Sequence, residues 1–331
     1  MNFAKSCRMA CIALAFAVLA AVPAMARDLA AEGQFDRSLK VSGSVDLAVT
    51  TGSGSISVRT GDASTIHVIG RIRASSDWHI SDAEAQDRVK RIEANPPIEQ
   101  NGNIIRIGDI HDENLRRNIS ISYELVVPAD TRLRADTGSG SQELDGVKGP
   151  VEATAGSGSL RISHIGSEVR ATTGSGHVTL EEIQGSVRAG AGSGSIHADS
   201  VNGGLVAHTG SGNIESSLIG TGDVEAQTGS GSIDLRGVKG RVDAHTGSGS
   251  VHVDGTPTGD WRVHSSSGGV TLRLPADLGF ELDASTGSGS VTSSHELTFT
   301  GTFNRHSMRG KSHGGGPMIV VSTSSGSIRV E

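Results

Sequence analysis

The sequence has 331 residues, with 46 glycines, 3% aromatic residues and 36 Asp and Glu against 29 Lys and Arg. That much glycine excludes a helical protein, and its irregular placement excludes collagen, so aliphatic and β-branched side chains must build the core. A net charge of -7 argues against free nucleic acid as a partner.

Residues 1–26 read as an export signal: Lys5 and Arg8 precede an apolar run from Cys11 to Val22, and Ala24-Met25-Ala26 is a small-residue cleavage site. Cleavage there starts the mature chain at Arg27 and delivers it to the periplasm, the cell surface or the medium. The apolar run is too short to span a bilayer, and no later segment is suited to insertion. Both cysteines, Cys7 and Cys11, fall in the leader. Cys11 precedes the apolar run, which is not the place of a lipid-attachment cysteine. The expected mature chain therefore has no thiols, which rules out disulfides, Cys-ligated metals and Cys nucleophiles.

Residues 27–136 predict an N-terminal β-rich cap. Strand-like runs at Val45 to Val58, Ile66 to Arg73, Asn103 to Ile107 and Ile119 to Val127 are broken by one helix over 81–94. Ser81 with Glu84 three residues on forms a capping box, Val89 and Ile92 give a sparse apolar face, and Pro96-Pro97 ends the helix. Placed at the open end of a sheet, it would shield bare strand edges.

Residues 137–331 repeat. A Thr-Gly-Ser-Gly-Ser phrase starts at Thr137, Ala155, Thr173, Ala191, Thr209, Thr228 and Thr246, with 18 or 19 residues between starts. It returns in degraded form at Ser265, then at Thr286 and Thr323, and an isolated early copy stands at Thr51. Between phrases the apolar residues alternate, as in Ile233 and Leu235 or Val242 and Ala244, and a period of two means strands. Each unit supplies two short strands, one after its phrase and one before the next. So short a unit cannot bury a face alone, whereas stacked copies can. The expected fold is all-β, a parallel β-solenoid of about ten rungs. Its inward files read Val151, Val169, Val187, Leu205, Val224, Val242 and, beside them, Ala153, Ala171, Ala189, Ala207, Ala226, Ala244. The phrase glycines are expected at positive φ, where the chain turns its corner.

The period breaks at 294–317, which predicts a hairpin insertion before the last strands. Arg305, His306, Arg309, Lys311 and His313 make it the most basic patch of an acidic chain. These five are candidate contacts for an anion or glycan, against the plainer reading of a solvated loop tip.

The stretch "YELVVPADTRLRADTGSGS" (123–141), followed by "GVKGPVEATAGSGS" and "GVKGRVDAHTGSGS", resembles the adhesin-like family of bacterial β-strand-repeat proteins, a domain of unknown function. The resemblance covers nearly all of the chain after the leader. It implies the repeat fold, and it brings no catalytic residues to carry over. Unlike many surface adhesins, this chain is read as having no C-terminal barrel, sorting signal or lipidated cysteine.

The outward positions are the place to look for chemistry. One file reads Glu143, Arg161, Thr179, His197, Glu215, Asp234, His252, Thr271. Stacking would bring Glu215 beside Asp234 with a histidine at each end, at about the 5 Å carboxyl separation of a retaining glycosidase. The set His197, Glu215, Asp234, His252 could also ligate a divalent metal. A flat sheet lacks the concave, partly dry pocket that such chemistry needs, and the plainer reading is a mixed-charge solvent face. A second file, His208, Gln227, His245, His264, reads the same way.

Calcium-loaded repeats would carry an aspartate where this chain has Arg161, Thr179, His197 and Glu215. The inward spacing of 2, 3, 4 and 2 from Leu160 to Ala171 does not match a six-residue acyltransferase coil. The phrase lacks the lysine and helix of a phosphate loop, and its interchangeable serines include no singular nucleophile. A Thr at an inward corner does not suit an ice-binding face. The sequence therefore predicts an exported, non-enzymatic structural or binding module of the bacterial envelope. It needs no cofactor or metal, and its faces meet a glycan, envelope polymer or protein. The alternative is a solenoid carbohydrate-active enzyme, a glycosidase or lyase, using Glu215 and Asp234.

Overall fold

The computed structural model describes residues 29–76, 80–299 and 304–331; the leader read at 1–26, and Arg27, lie outside them. The described residues form a parallel β-solenoid of two long sheets, one of 14 strands and one of 15. Successive rungs contribute one strand to each sheet. Val151 pairs with Val169, Val169 with Val187, Val187 with Leu205, Leu205 with Val224, and Val224 with Val242, and the alanine file beside them holds the same register. Facing them, Leu160, Val178, Ile196, Ile214, Ile233 and Val251 stack in the other sheet. All these inward residues are buried, in one continuous core. Ala171, Ala207 and Ala226 are fully enclosed, as expected where small side chains let two sheets approach. The valine file ends on Trp261, which takes the place next to Val242 and donates its indole N–H to Gly240 O at 2.9 Å.

The corners correct one expectation. None of the phrase glycines from Gly138 to Gly247 has a positive φ. They are required by close approach instead: a methyl on Gly158 would overlap the carbonyl oxygen of Gly140 one rung below, and one on Gly176 that of Gly158. The phrase threonine completes the joint. Thr173 Oγ1 donates to Gly158 O at 2.7 Å and accepts from its own Gly176 N at 3.2 Å. Thr209, Thr228 and Thr246 make the same downward bond at 2.7–2.8 Å. Positive φ recurs instead at the opposite turn, at Gly146, His164, Glu182, Ser200 and Gly237, though not in the rung of Ile214–Leu218; among later phrase glycines Gly249 and Gly289 have it, at 156° and 146°.

The early phrase at Thr51 is isolated in sequence and not in space. Strand Val45–Thr51 pairs with Thr131–Thr137, so Thr51 lies directly on Thr137. On the other side of this rung lie strands Ile104–Ile107 and Ile119–Val127, which come later in the chain. The C-terminal end is built the same way. The last rung, Met318–Ser325 with Ile328–Val330, sits between the rung of Trp261–Ser267 and that of Phe280–Ser288. The phrases therefore stack in the order Thr51, Thr137 to Ser265, Thr323, Thr286.

Helix Asp82–Ala94 starts at Ser81, whose hydroxyl accepts from Glu84 N. It lies on the antiparallel pair Leu29–Lys40 and Thr65–Ser75, burying Val89 and Ile92. Its Arg88 is buried, bonded to Glu84 Oε1 at 2.6 Å and Arg117 O at 2.9 Å. At the other end, Ser307–Ser312 pairs antiparallel with Phe280–Ser288 and with Thr298–Phe299, forming a hairpin on the outermost rung.

Candidate binding surfaces

The outward file from Glu143 to Thr271 stacks in register, which places Glu215 between His197 and Asp234, with His252 beyond. The two carboxylates are held as ion-pair partners. His197 Nδ1 is 3.4 Å from Glu215 Oε2, Arg236 Nη1 is 3.6 Å from Glu215 Oε1, and Arg236 Nη2 is 3.0 Å from Asp234 Oδ2. The hydrogen bond to Asp234 holds the Arg236 guanidinium above its ordinary range. Half of the Glu215 side chain and a third of that of Asp234 face solvent, so the pair lies on an open face and not in a dry pocket. Arg236 is the member that periodicity missed. It sits two residues after Asp234, on the same outward face, and that spacing was the available signal. Among the described residues no group of three or more His, Cys, Asp or Glu is arranged to hold a metal ion.

In the other sheet His208, Gln227, His245 and His264 form the second outward file. The rings of His245 and His264 stack with centroids 5.0 Å apart. Burial, and then the neighbouring His245, push the His264 pKa down; its Nδ1 lies 2.8 Å from Ser322 Oγ. His208 is engaged by Glu225 at 3.0 Å.

The basic residues of the insertion do not act as one free patch. Arg309 pairs across the strands with Asp283, and Lys311 Nζ with Glu281 Oε1 at 2.5 Å. His313 Nδ1 lies 3.0 Å from Ser312 Oγ. Arg305 and His306 give their backbone carbonyls to Val291 N and Thr286 N, fastening the hairpin to the outer rung.

A groove of about 310 Å³ lies on the outer face of the second sheet. Its polar lining includes Asp46, Arg132, Glu152, Glu168, Arg170 and Arg188. Arg170 stacks directly on Arg188 in strands Val169–Thr173 and Val187–Ala191. Aligning "VRATT" over "VRAGA" would have revealed this pair.

Residues 185–331 match the Toastrack DUF4097 family model. The Toastrack match begins at strand Val187–Ala191 and runs through the inserted last rung, so the resemblance read in the sequence holds for the C-terminal part of the stack. A structural comparison finds a candidate cell adhesion protein from Clostridium sporogenes, 13% identical, covering 91% of this chain and 99% of that one with a TM-score of 0.20. That score is too low for the likeness to bear on the role of this chain. No curated protein matches it.

Proposed function

We propose that the chain is an exported, adhesin-like binding module of the bacterial envelope that performs no catalysis. It is a stiff stack whose outer ladders meet a glycan, an envelope polymer or a protein. The observation that carries this reading is repetition. The corner glycines stack in the same way from rung to rung, and the carboxylates best placed for hydrolysis, Glu215 and Asp234, are tied by Arg236 on an open face. The Toastrack match and the long, regular surface support it. Export rests on the pattern of residues 1–26.

The test uses the chain from Arg27 onward, immobilised and challenged with envelope fractions and a glycan array, beside fractionation of cells that express the full sequence. Capture of a glycan or envelope component is expected, with the protein outside the cytoplasm. Glu215→Gln combined with Asp234→Asn should leave that capture intact. Cleavage of any polysaccharide by the parent chain, lost in that double variant, would replace the reading with the glycosidase alternative. Failure to capture anything would end it.

A further inference from the structure

Many outward arginines on these ladders have a carboxylate, although Arg59, Arg106 and Arg262 have none among the described residues. Arg71 pairs with Glu124, Arg134 with Asp136 and Glu152, Arg161 with Glu181, Arg236 with Asp234, and Arg309 with Asp283. In the groove Arg134 is so paired, but its three neighbouring arginines are not. Arg132, Arg170 and Arg188 make no hydrogen bond or ion pair among the described residues, and all three are exposed. Glu152 is in register with Arg170 but is taken by Arg134 on its other side. Arg170 and Arg188 are neighbours in a parallel ladder, about 4.8 Å apart along the stack, where like charges destabilise each other. A bound anion removes that repulsion and gains the paired, planar geometry that guanidinium offers a carboxylate.

We propose that this groove binds a carboxylate-bearing polysaccharide, with Arg170 and Arg188 holding its carboxylates and Glu168 and Asp46 accepting hydrogen bonds from its hydroxyls. Two features select this ligand over other polyanions. The groove lining has no aromatic side chain on which a nucleic-acid base could stack. Its acidic members, Asp46, Glu152 and Glu168, can accept hydrogen bonds from the hydroxyls that every sugar of such a polymer presents and that a DNA backbone lacks. A polymer following the stack meets the two guanidiniums on successive rungs. The inference rests on the reading of the chain as a binding module and adds to it a place and a ligand class.

The test is calorimetric titration of the chain from Arg27 onward with polygalacturonate and with its fully methyl-esterified form. A double-stranded DNA fragment and phosphatidylglycerol vesicles serve as competing anions. Polygalacturonate should bind, weakening as salt is raised, and the ester should bind at least about tenfold less tightly. Arg170→Gln and Arg188→Gln should each weaken binding about tenfold, the order expected for losing a charge-assisted hydrogen bond. Arg262→Gln, on the same ladder and outside the groove, should leave it unchanged. The Arg170→Gln, Arg188→Gln double variant should melt no lower than the parent, which separates lost binding from lost folding. Equal binding of acid and ester, unchanged affinity in the double variant, or tighter binding to DNA or vesicles would overturn the proposal. If the parent ignores polygalacturonate but still captures envelope material, the groove assignment falls and the module reading stands.

Discussion

Most corners of the stack are held by a threonine hydroxyl, and the arrangement explains why the phrase usually begins with Thr where many small residues would fit. Thr173 is 2% exposed, and its hydroxyl serves a carbonyl below and an amide within its own corner. Thr173→Val keeps shape and volume while leaving both backbone groups enclosed without their partner. It should lower stability by about 1–3 kcal/mol, read from urea unfolding followed by circular dichroism. An unchanged midpoint would mean that the hydroxyl is incidental. Ala155 and Ala191 stand at the same position with no hydroxyl, so the stack tolerates the gap where flanking rungs are stapled. The sequence revealed the inward direction of this residue through its parity with the valine and alanine files. It could not reveal the bond, because that depends on how far one corner is offset from the next.

At the scale of the strand and its turn, the left-handed residue opposite the corner is the informative position. Gly146 and Gly237 occupy it at φ 79° and 70°, whereas Glu182 does so at φ 55° with a side chain that disfavours it. Glu182→Gly should therefore stabilise the fold by about 0.5–1 kcal/mol after the added freedom of the unfolded chain is counted. Gly237→Ala should destabilise it, since its new methyl would also strike Leu218 O. Thermal melts of the two variants moving in the same direction would refute this account. The strands between these turns were legible because apolar residues alternate and then recur 18 or 19 residues later. Strand Leu29–Lys40 was not. It lies at a sheet edge, its partner is antiparallel, and Phe35 is the one well-buried large side chain over 30–40, so it shows no alternation to detect.

For the whole molecule, the order of rungs at the two ends decides what is independent of what. Trp261 pairs with Ile319, and Leu282 pairs with Ile319 from the other side. Such pairings skip a layer and leave no local mark, which is why the sequence suggested a simple stack with a hairpin near its end. Strand Val291–Ser293 has Ile328–Val330 as its ladder partner. A chain ending at Pro317 should therefore lose hydrogen-exchange protection over 280–312 as a block, while rungs from 137 to 246 stay protected. A synthetic peptide of residues 318–331 should restore it. Retained protection at 280–293 in the shortened chain would show that the outer rung holds without its neighbour.

The rung between Trp261–Ser267 and Phe280–Ser288 also fixes a sequence of events in time. Residues 318–331 must enter a position bounded on both sides by chain made earlier, so synthesis cannot deliver these rungs layer by layer. Until that segment arrives, two strand borders face each other with nothing between them, and another copy of the same peptide would fit there equally well.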